Sequence, residues 1–196
     1  MPEKNARIIL ASSSPRRAEL LNGLGVEFEQ TPSFVPERPH VGEAPPDYII
    51  RLARAKVIAA ARKWDAGLVI GADTIVVVDG RILEKPKDEE DAVRLLRQLS
   101  GRWHAVMTGL ALYDITSRRE VADFDKTLVR FSPLTEREIS WYVKTGEPMD
   151  KAGGYGIQGM GGFFVEEIAG NYFNVVGLPI PLLYRLARRL GYLFIE

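Results

Sequence analysis

The stretch "LASSSPRRAELL", residues 10–21, sets Ser12, Arg16 and Arg17 where an apolar run gives way to a helical pattern. The free N–H groups of a helix's first turn carry partial positive charge, so that turn favours acidic side chains. Two adjacent cations there are out of place unless an anion sits with them. A strand, a serine-rich turn and a helix N-terminus together make an anion site, with N–H groups and hydroxyls as donors. Arginine adds paired donors that match phosphate oxygens. The chemistry suggested is a turn that binds phosphate, most simply a polyphosphate. It is not a Walker motif, because the Gly-x-x-x-x-Gly-Lys pattern is missing. Two solvated arginines behind an ordinary Ser-Pro cap are the alternative, and spacing alone does not choose between them.

Asp73 is the second anomaly. It sits inside "VIGADTIVVV", among apolar residues, glycine and Thr74. A carboxylate in a central strand must be paired, bind a metal, or have its pKa raised, and each is a common active-site device. The burial argument therefore favours function over a simple backbone contact. Gly71 just before it signals a close approach, by ligand or by chain. Lys56 shares a helical stripe with Ile49, Leu52, Ala53 and Ala60, where an inner amine wants an anion. For a lone lysine the better reading is a stem that covers apolar surface while the amine reaches water. "LEKPKD" carries Glu84, Lys85 and Lys87 beside a hairpin, near Asp73 if the turn is tight; a charged loop explains them equally. "GGYGIQGMGG" surrounds Gln158 with glycines, which let backbone approach a ligand. A glutamine amide there can read a base edge, although a glycine run alone also describes a plain turn. Glu37 and His104 do not stand out unaided, and the tryptophans at 64, 103 and 141 read as packing residues.

These side chains need elements to position them. "RIILAS" (7–12) reads as a buried strand, Ser14 and Pro15 as the start of a helix that ends at Gly25, with Leu20, Leu21 and Leu24 on one face. "VEFEQ" alternates as a second strand, and residues 31–46 form a loop. A helix follows over about 46–64, then a buried strand at 68–78 with an Asp79-Gly80 hairpin signal. Asp88 caps a helix to about Leu99. Strands follow at 103–115 and 120–131, then a helix with a Thr135/Glu138 capping box that stops at Gly146. "FFVEEI" follows the glycine-rich stretch, and a last helix spans about 179–190. Early alternation of strands and helices, with long hairpins later, predicts an α/β fold with a mixed sheet. Nothing divides the chain into independent domains, so residues 1–196 are expected to form one domain.

Composition narrows the function classes. Hydrophobic residues make up 46% of the chain, enough for a full core. Basic and acidic residues balance at 26 each, so no general field draws nucleic acid or a membrane surface, and anion binding must be local. The absence of cysteine excludes disulfide and thiol chemistry, and His40 and His104 are too few for a multi-histidine metal cage. The opening "MPEKNARIILAS" does not read as a signal peptide, and no run reaches the ~18 apolar residues of a membrane span. The expected setting is the cytoplasm.

Taken together, "LASSSPRRAELL", "RLARAK", "IGADTIV", "LEKPKD", "SGRWHAVMTG", "DKAGGYGIQG" and "NVVGLP" resemble, in order, the motifs of the Maf family of nucleoside triphosphate pyrophosphatases. The resemblance is to the branch that acts on dTTP and UTP, carried by Arg16, Thr74 and Gln158. It implies an inosine triphosphatase-like fold: a long mixed β-sheet with flanking helices, two lobes and a cleft. It implies hydrolysis at the α-phosphorus to a nucleoside monophosphate and pyrophosphate, with modified pyrimidine nucleotides as further candidates. A divalent metal, Mg²⁺ or Mn²⁺, is implied, with Glu37 and Asp73 holding it and Asp73 also as general base. Ser12, Arg16, Arg17, Lys56 and Lys85 would neutralise the triphosphate, while Thr74 and Gln158 would choose the base. A homodimer and a house-cleaning or division-related role come with the resemblance. An inosine triphosphatase and a nucleotide-sensing regulator without turnover are the rival readings.

Overall fold

The apolar run at residues 68–78 builds an eleven-residue strand that is buried almost throughout, as a central strand covered on both faces must be. In chain order the elements are β1 (Ile8–Leu10), α1 (Pro15–Gly23), β2 (Glu29–Gln30), α2 (Pro45–Ala61), β3 (Leu68–Val78), β4 (Arg81–Leu83), α3 (Glu89–Leu99), β5 (Trp103–Asp114), β6 (Arg119–Phe131), α4 (Glu136–Lys144), β7 (Val165–Ala169), α5 (Tyr172–Val176) and α6 (Ile180–Leu190). The structure is a computed structural model and describes residues 7–194. The expectation about a signal peptide falls partly on residues 1–6, outside the described residues. Among those described, no helix is long and apolar enough to cross a membrane.

The strands form one mixed sheet in the order β2-β1-β3-β5-β6-β7, with β4 paired to β3. β1 runs parallel to both β2 and β3, whereas β4 is antiparallel to β3 and β7 to β6. Local chemistry sets the boundaries. Asp79 and Gly80 both adopt positive φ, 50° and 73°, as a two-residue hairpin turn of matching twist requires. Asp88 caps α3 by accepting the Asp91 N–H at 2.8 Å, and Thr135 and Glu138 close a full capping box on α4. Ser14 occupies the N-cap of α1 as expected, but its side chain makes no capping bond. Leu24, expected on one face with Leu20 and Leu21, is 48% exposed; α1 ends at Gly23, one residue before it. Trp103 and Trp141 are exposed as well; only Trp64 among the tryptophans packs into a core. The short α5 carried no sequence signal.

The chain divides into two compact units. The first is built from the chain up to Asp73, Thr108–Asp125 and the chain from Gly177. Its strands bury alternate residues on opposite faces. Ile8, Leu10, Leu68, Ile70 and Ala72 meet Leu21 of α1 and the stripe Leu182, Leu183, Leu186 and Leu190 of α6. Ile9, Ala11, Val69 and Ala111 meet Ala53, Val57, Ala60 and Ala61 of α2. Small residues dominate this second face, so α2 lies close against the strands. A Cβ at Gly109 would stand 2.5 Å from the Ile49 carbonyl oxygen, and one at Gly71 would stand 2.7 Å from Val57 Cγ1 and 2.9 Å from the Ala53 carbonyl oxygen. The close approach that Gly71 signals is therefore that of the chain itself.

The second unit comprises Thr74–Met107 and Lys126–Val176. Its core joins Val76, Leu83, Leu95, Leu96, Val129, Phe131, Tyr142 and Phe164. His104 is 2% exposed within it; its Nε2 pairs with the Tyr155 hydroxyl at 2.8 Å, and Nδ1 has no hydrogen-bond partner. Burial pushes this imidazole down to about 4 from an ordinary 6.5.

Two predictions follow from these contacts. Gly109→Ala should lower the unfolding free energy by about 1–3 kcal/mol, because helix backbone must give way. Gly23→Ala, where nothing lies within 4 Å, should not lower it; denaturant melts of both variants check this. His104 is held neutral, so its contribution is complete above pH 6.5 and is lost as the pH falls towards 4, about 3 kcal/mol over that window. Unfolding free energy measured between those pH values should fall less steeply in His104→Gln, by about one proton's worth of slope.

Candidate active site

Period-two alternation along β3 sets Asp73 on the face shared by Val69 and Gly71, which is the face that α2 covers. Helical periodicity sets Lys56 on the covering side of α2, where it is buried with Leu52, Ala53 and Ala60. The two meet: Lys56 Nζ donates to Asp73 Oδ1 at 2.5 Å. The same ammonium lies 2.6 Å from Glu37 Oε1, reached from the loop that precedes α2. The Lys56 and Asp73 side chains are 9% and 11% exposed, and Glu37 is 43% exposed. The lysine therefore does not reach for water, as a lone lysine would; its amine is enclosed by two carboxylates.

Ser12 and Arg17 lie in the same unit. Arg17 turns inward from the first turn of α1, although it is a cation. Its Nε donates to the Gly177 carbonyl at 2.8 Å and its Nη1 to Ser12 Oγ at 3.0 Å. Ser12 Oγ also accepts the Ser14 N–H at 3.2 Å, so the turn between β1 and α1 is tied to the guanidinium. Burial lowers the Arg17 pKa, opposed by the nearby carboxylates of Asp73 and Glu37, and guanidinium remains charged. Arg16, its neighbour, is half-buried. Burial also raises the Asp73 pKa above its ordinary value, with Lys56 and Arg17 pulling the other way and Glu37 adding to the rise. A carboxylate whose pKa is raised is a stronger base toward a water molecule.

Ser12, Arg17, Glu37, Lys56 and Asp73 thus come together within one unit. Thr74, Lys85 and Gln158 belong to the other. Thr74 follows Asp73 in β3 and is half-buried, on the strand face opposite Asp73. Lys85 is exposed two residues beyond the last β3–β4 pair, Val76 with Leu83. Gln158 is exposed in the glycine-rich segment, which joins the hairpin through the Gly153 N–H donating to the Glu84 carbonyl at 3.1 Å. Sequence reasoning missed two supports of the first cluster. Gln30 donates through Nε2 to the Ser12 carbonyl at 2.8 Å, and the Gly177 carbonyl receives Arg17. Alternation in "VEFEQ" marked a strand but not that the Gln30 side chain would bond the turn after β1.

Among the described residues, no group of three or more His, Asp or Glu is placed to hold a metal. Glu37 and Asp73 nevertheless converge on a single positive centre, the Lys56 ammonium. Two hard carboxylates on one cation suit Mg²⁺, which takes one or two protein carboxylates and fills its shell with water and phosphate oxygens. The residues present fit such an ion.

Removing the ammonium isolates Asp73. Lys56→Met should raise the Asp73 pKa further, since the pull that opposes burial is gone. A carboxyl ¹³C NMR titration of Asp73 would read this directly. An unchanged or lowered pKa would show that the pair does not control Asp73.

Comparison with known proteins identifies the family of the chain. Residues 7–190 match the family described as Maf-like protein. A dTTP/UTP pyrophosphatase of Geobacter sulfurreducens is 52% identical over 188 residues, 96% of this chain and 98% of its own length. Those of Geobacter metallireducens and Koribacter versatilis are each 51% identical, covering 97% and 95% of this chain and 99% and 95% of their own lengths. Among solved structures, a distant likeness is the Staphylococcus aureus Ham1 protein, with a TM-score of 0.47 and 16% identity over 64% of this chain and 71% of that one. On the extent of the family match and the near-full-length identity to its relatives, the chain belongs to the Maf family.

Proposed function

We propose that this protein hydrolyses dTTP and UTP to the nucleoside monophosphate and pyrophosphate. The observation that carries the reading is the enclosed Lys56 ammonium between Asp73 and Glu37, beside a strand–turn–helix whose buried Arg17 ties down Ser12. The names of the relatives support the substrate, and the balanced charge of the chain, 26 basic against 26 acidic residues, suits a small anion over a nucleic acid. Residues 1–196 are read as a single Maf-type domain acting in the cytoplasm.

In this reading water attacks the α-phosphorus. A bond forms from the water oxygen to that phosphorus, and the bond to the oxygen bridging the α- and β-phosphates breaks. Asp73 takes the water's proton as general base, and pyrophosphate leaves with the bridging oxygen. Lys56 holds the Asp73 carboxylate in one orientation, since its stem is packed in α2 and its amine is shared with Glu37. Ser12, Arg16, Arg17, Lys56 and Lys85 offset the negative charge of the triphosphate, which grows on the leaving group as the bond breaks. Glu37 and Asp73 are the residues that would hold Mg²⁺ or Mn²⁺. When bound, that ion supplies charge neutralisation and polarisation of phosphoryl oxygens. Thr74 and Gln158 select the pyrimidine, the amide of Gln158 being able to donate to one base-edge atom and accept from the next.

Pyrophosphate release from dTTP, UTP, CTP, GTP, ITP and 7-methyl-GTP, with Mg²⁺ or Mn²⁺, tests the reading. Fast release from dTTP and UTP alone is expected. Release mainly from ITP or 7-methyl-GTP would remove the base-selecting roles of Thr74 and Gln158, and tight binding without release would favour a sensor. Asp73→Asn should lower kcat by ~10²–10⁴, the usual contribution of a general base. Near-normal turnover in that variant would rule out both the base and the metal role of Asp73.

A further inference from the structure

Glu147 lies just after α4 and reaches the glycine-rich segment with its side chain. Its Oε1 accepts the Tyr142 hydroxyl at 2.8 Å and the Gly161 N–H at 3.1 Å, and its Oε2 accepts the Met160 N–H at 2.8 Å. The Tyr142 hydroxyl oxygen in turn accepts the Gly156 N–H at 3.2 Å. One carboxylate and one phenol thus fasten the turn on both sides of Gln158. Partial burial would raise the Glu147 pKa, but the N–H and O–H donors outweigh it and hold the group below the usual carboxylate range. It is an anion at neutral pH and can only accept.

The glycines fit this fastening. A Cβ at Gly159 would run into the Glu147 carboxylate, and one at Gly161 would stand 2.6 Å from the Tyr142 hydroxyl oxygen. Glycine is needed at both positions so that backbone can lie directly on the two side chains. Gln158 itself remains exposed, while the backbone on either side of it is fastened. A recognition group on a fixed turn loses less freedom on binding than one on a mobile loop.

We infer that Glu147 is a positioning residue for base selection: it holds the Gly156–Gly162 turn that presents the Gln158 amide. This rests on the base-reading role proposed for Gln158. Glu147 touches no reacting atom, so its loss should affect binding and preference more than turnover. Nothing in the "GEPMD" run around Glu147 marks it as functional; its signal lies in the glycines it packs against.

The test is a double-mutant cycle on Glu147 and Gln158, read as kcat and KM for UTP and CTP. Glu147→Gln points an amide donor at N–H groups and so loses at least one hydrogen bond. KM for UTP should rise about tenfold with kcat within about threefold, and the preference for UTP over CTP should fall about tenfold. Gln158→Ala should lose the same preference, and the double variant should lose no more than Gln158→Ala alone. Unchanged preference in Glu147→Gln would overturn the inference, as would a double variant that loses clearly more. If Gln158→Ala keeps its preference, base reading by Gln158 falls and this inference with it. If Gln158→Ala loses preference and Glu147→Gln keeps it, only the positioning role is lost. Should Glu147→Gln fail to fold, Tyr142→Phe leaves both Glu147 backbone bonds in place. It should give a smaller shift in the same direction, and a normal preference in that variant would overturn the inference.

Discussion

The Lys56 ammonium lies between the carboxylates of Asp73 and Glu37, and the lysine and Asp73 are both shielded from water. A charge removed from water is tolerated only when its partner is held at close range. That requirement reaches well beyond the three side chains. α2 must lie against β3 and β5 closely enough for a lysine stem to deliver its amine to a strand carboxylate. Alanines on the helix, glycines at 71 and 109, and small strand residues meet that need. What looks like a plain small-residue interface is the condition for a charged one.

The two arginines of the opening turn divide their duties. Arg17 is largely internal wiring: it joins the turn after β1 to the carbonyl of Gly177 and orients Ser12. Arg16 stays half-buried beside it. A cation in the first turn of a helix is unfavourable against the dipole. Here the nearby Asp73 and Glu37 carboxylates oppose part of that cost for Arg17. The cluster is thus a near-balanced set of charges, with Arg17, Lys56 and Asp73 buried.

Most of the architecture was legible because its signals are local. The apolar run of β3, the Asp-Gly turn and the capping box each depend on neighbours in sequence, and the structure places them as read. Within the site, Asp73 was legible because a carboxylate in a buried strand has few explanations. The fate of Lys56 was not, since whether an amine meets water or carboxylates depends on which strand its helix covers. Gly71 was read correctly as a close approach, but only the packing of α2 shows what approaches. Gln30 was missed because its bond to the Ser12 carbonyl depends on the pairing of β2 with β1. Leu24 and the exposed tryptophans were misplaced because apolar character alone does not say which side of an element is covered.

The bond from Arg17 to Gly177 also bears on the order in which the protein is made. Its two ends are 160 positions apart in sequence. The unit that holds Ser12, Lys56 and Asp73 likewise takes its last segment from the chain beyond Gly177. A ribosome releases the turn that carries Arg17 well before the residue that fastens it, 160 positions later. A growing chain therefore carries its arginine pair and its buried charges without this support until the residues around Gly177 emerge. The charged cluster is thus completed only after Gly177 has emerged, and a chain truncated before Gly177 would retain Arg17, Glu37, Lys56 and Asp73 without the carbonyl that fixes Arg17.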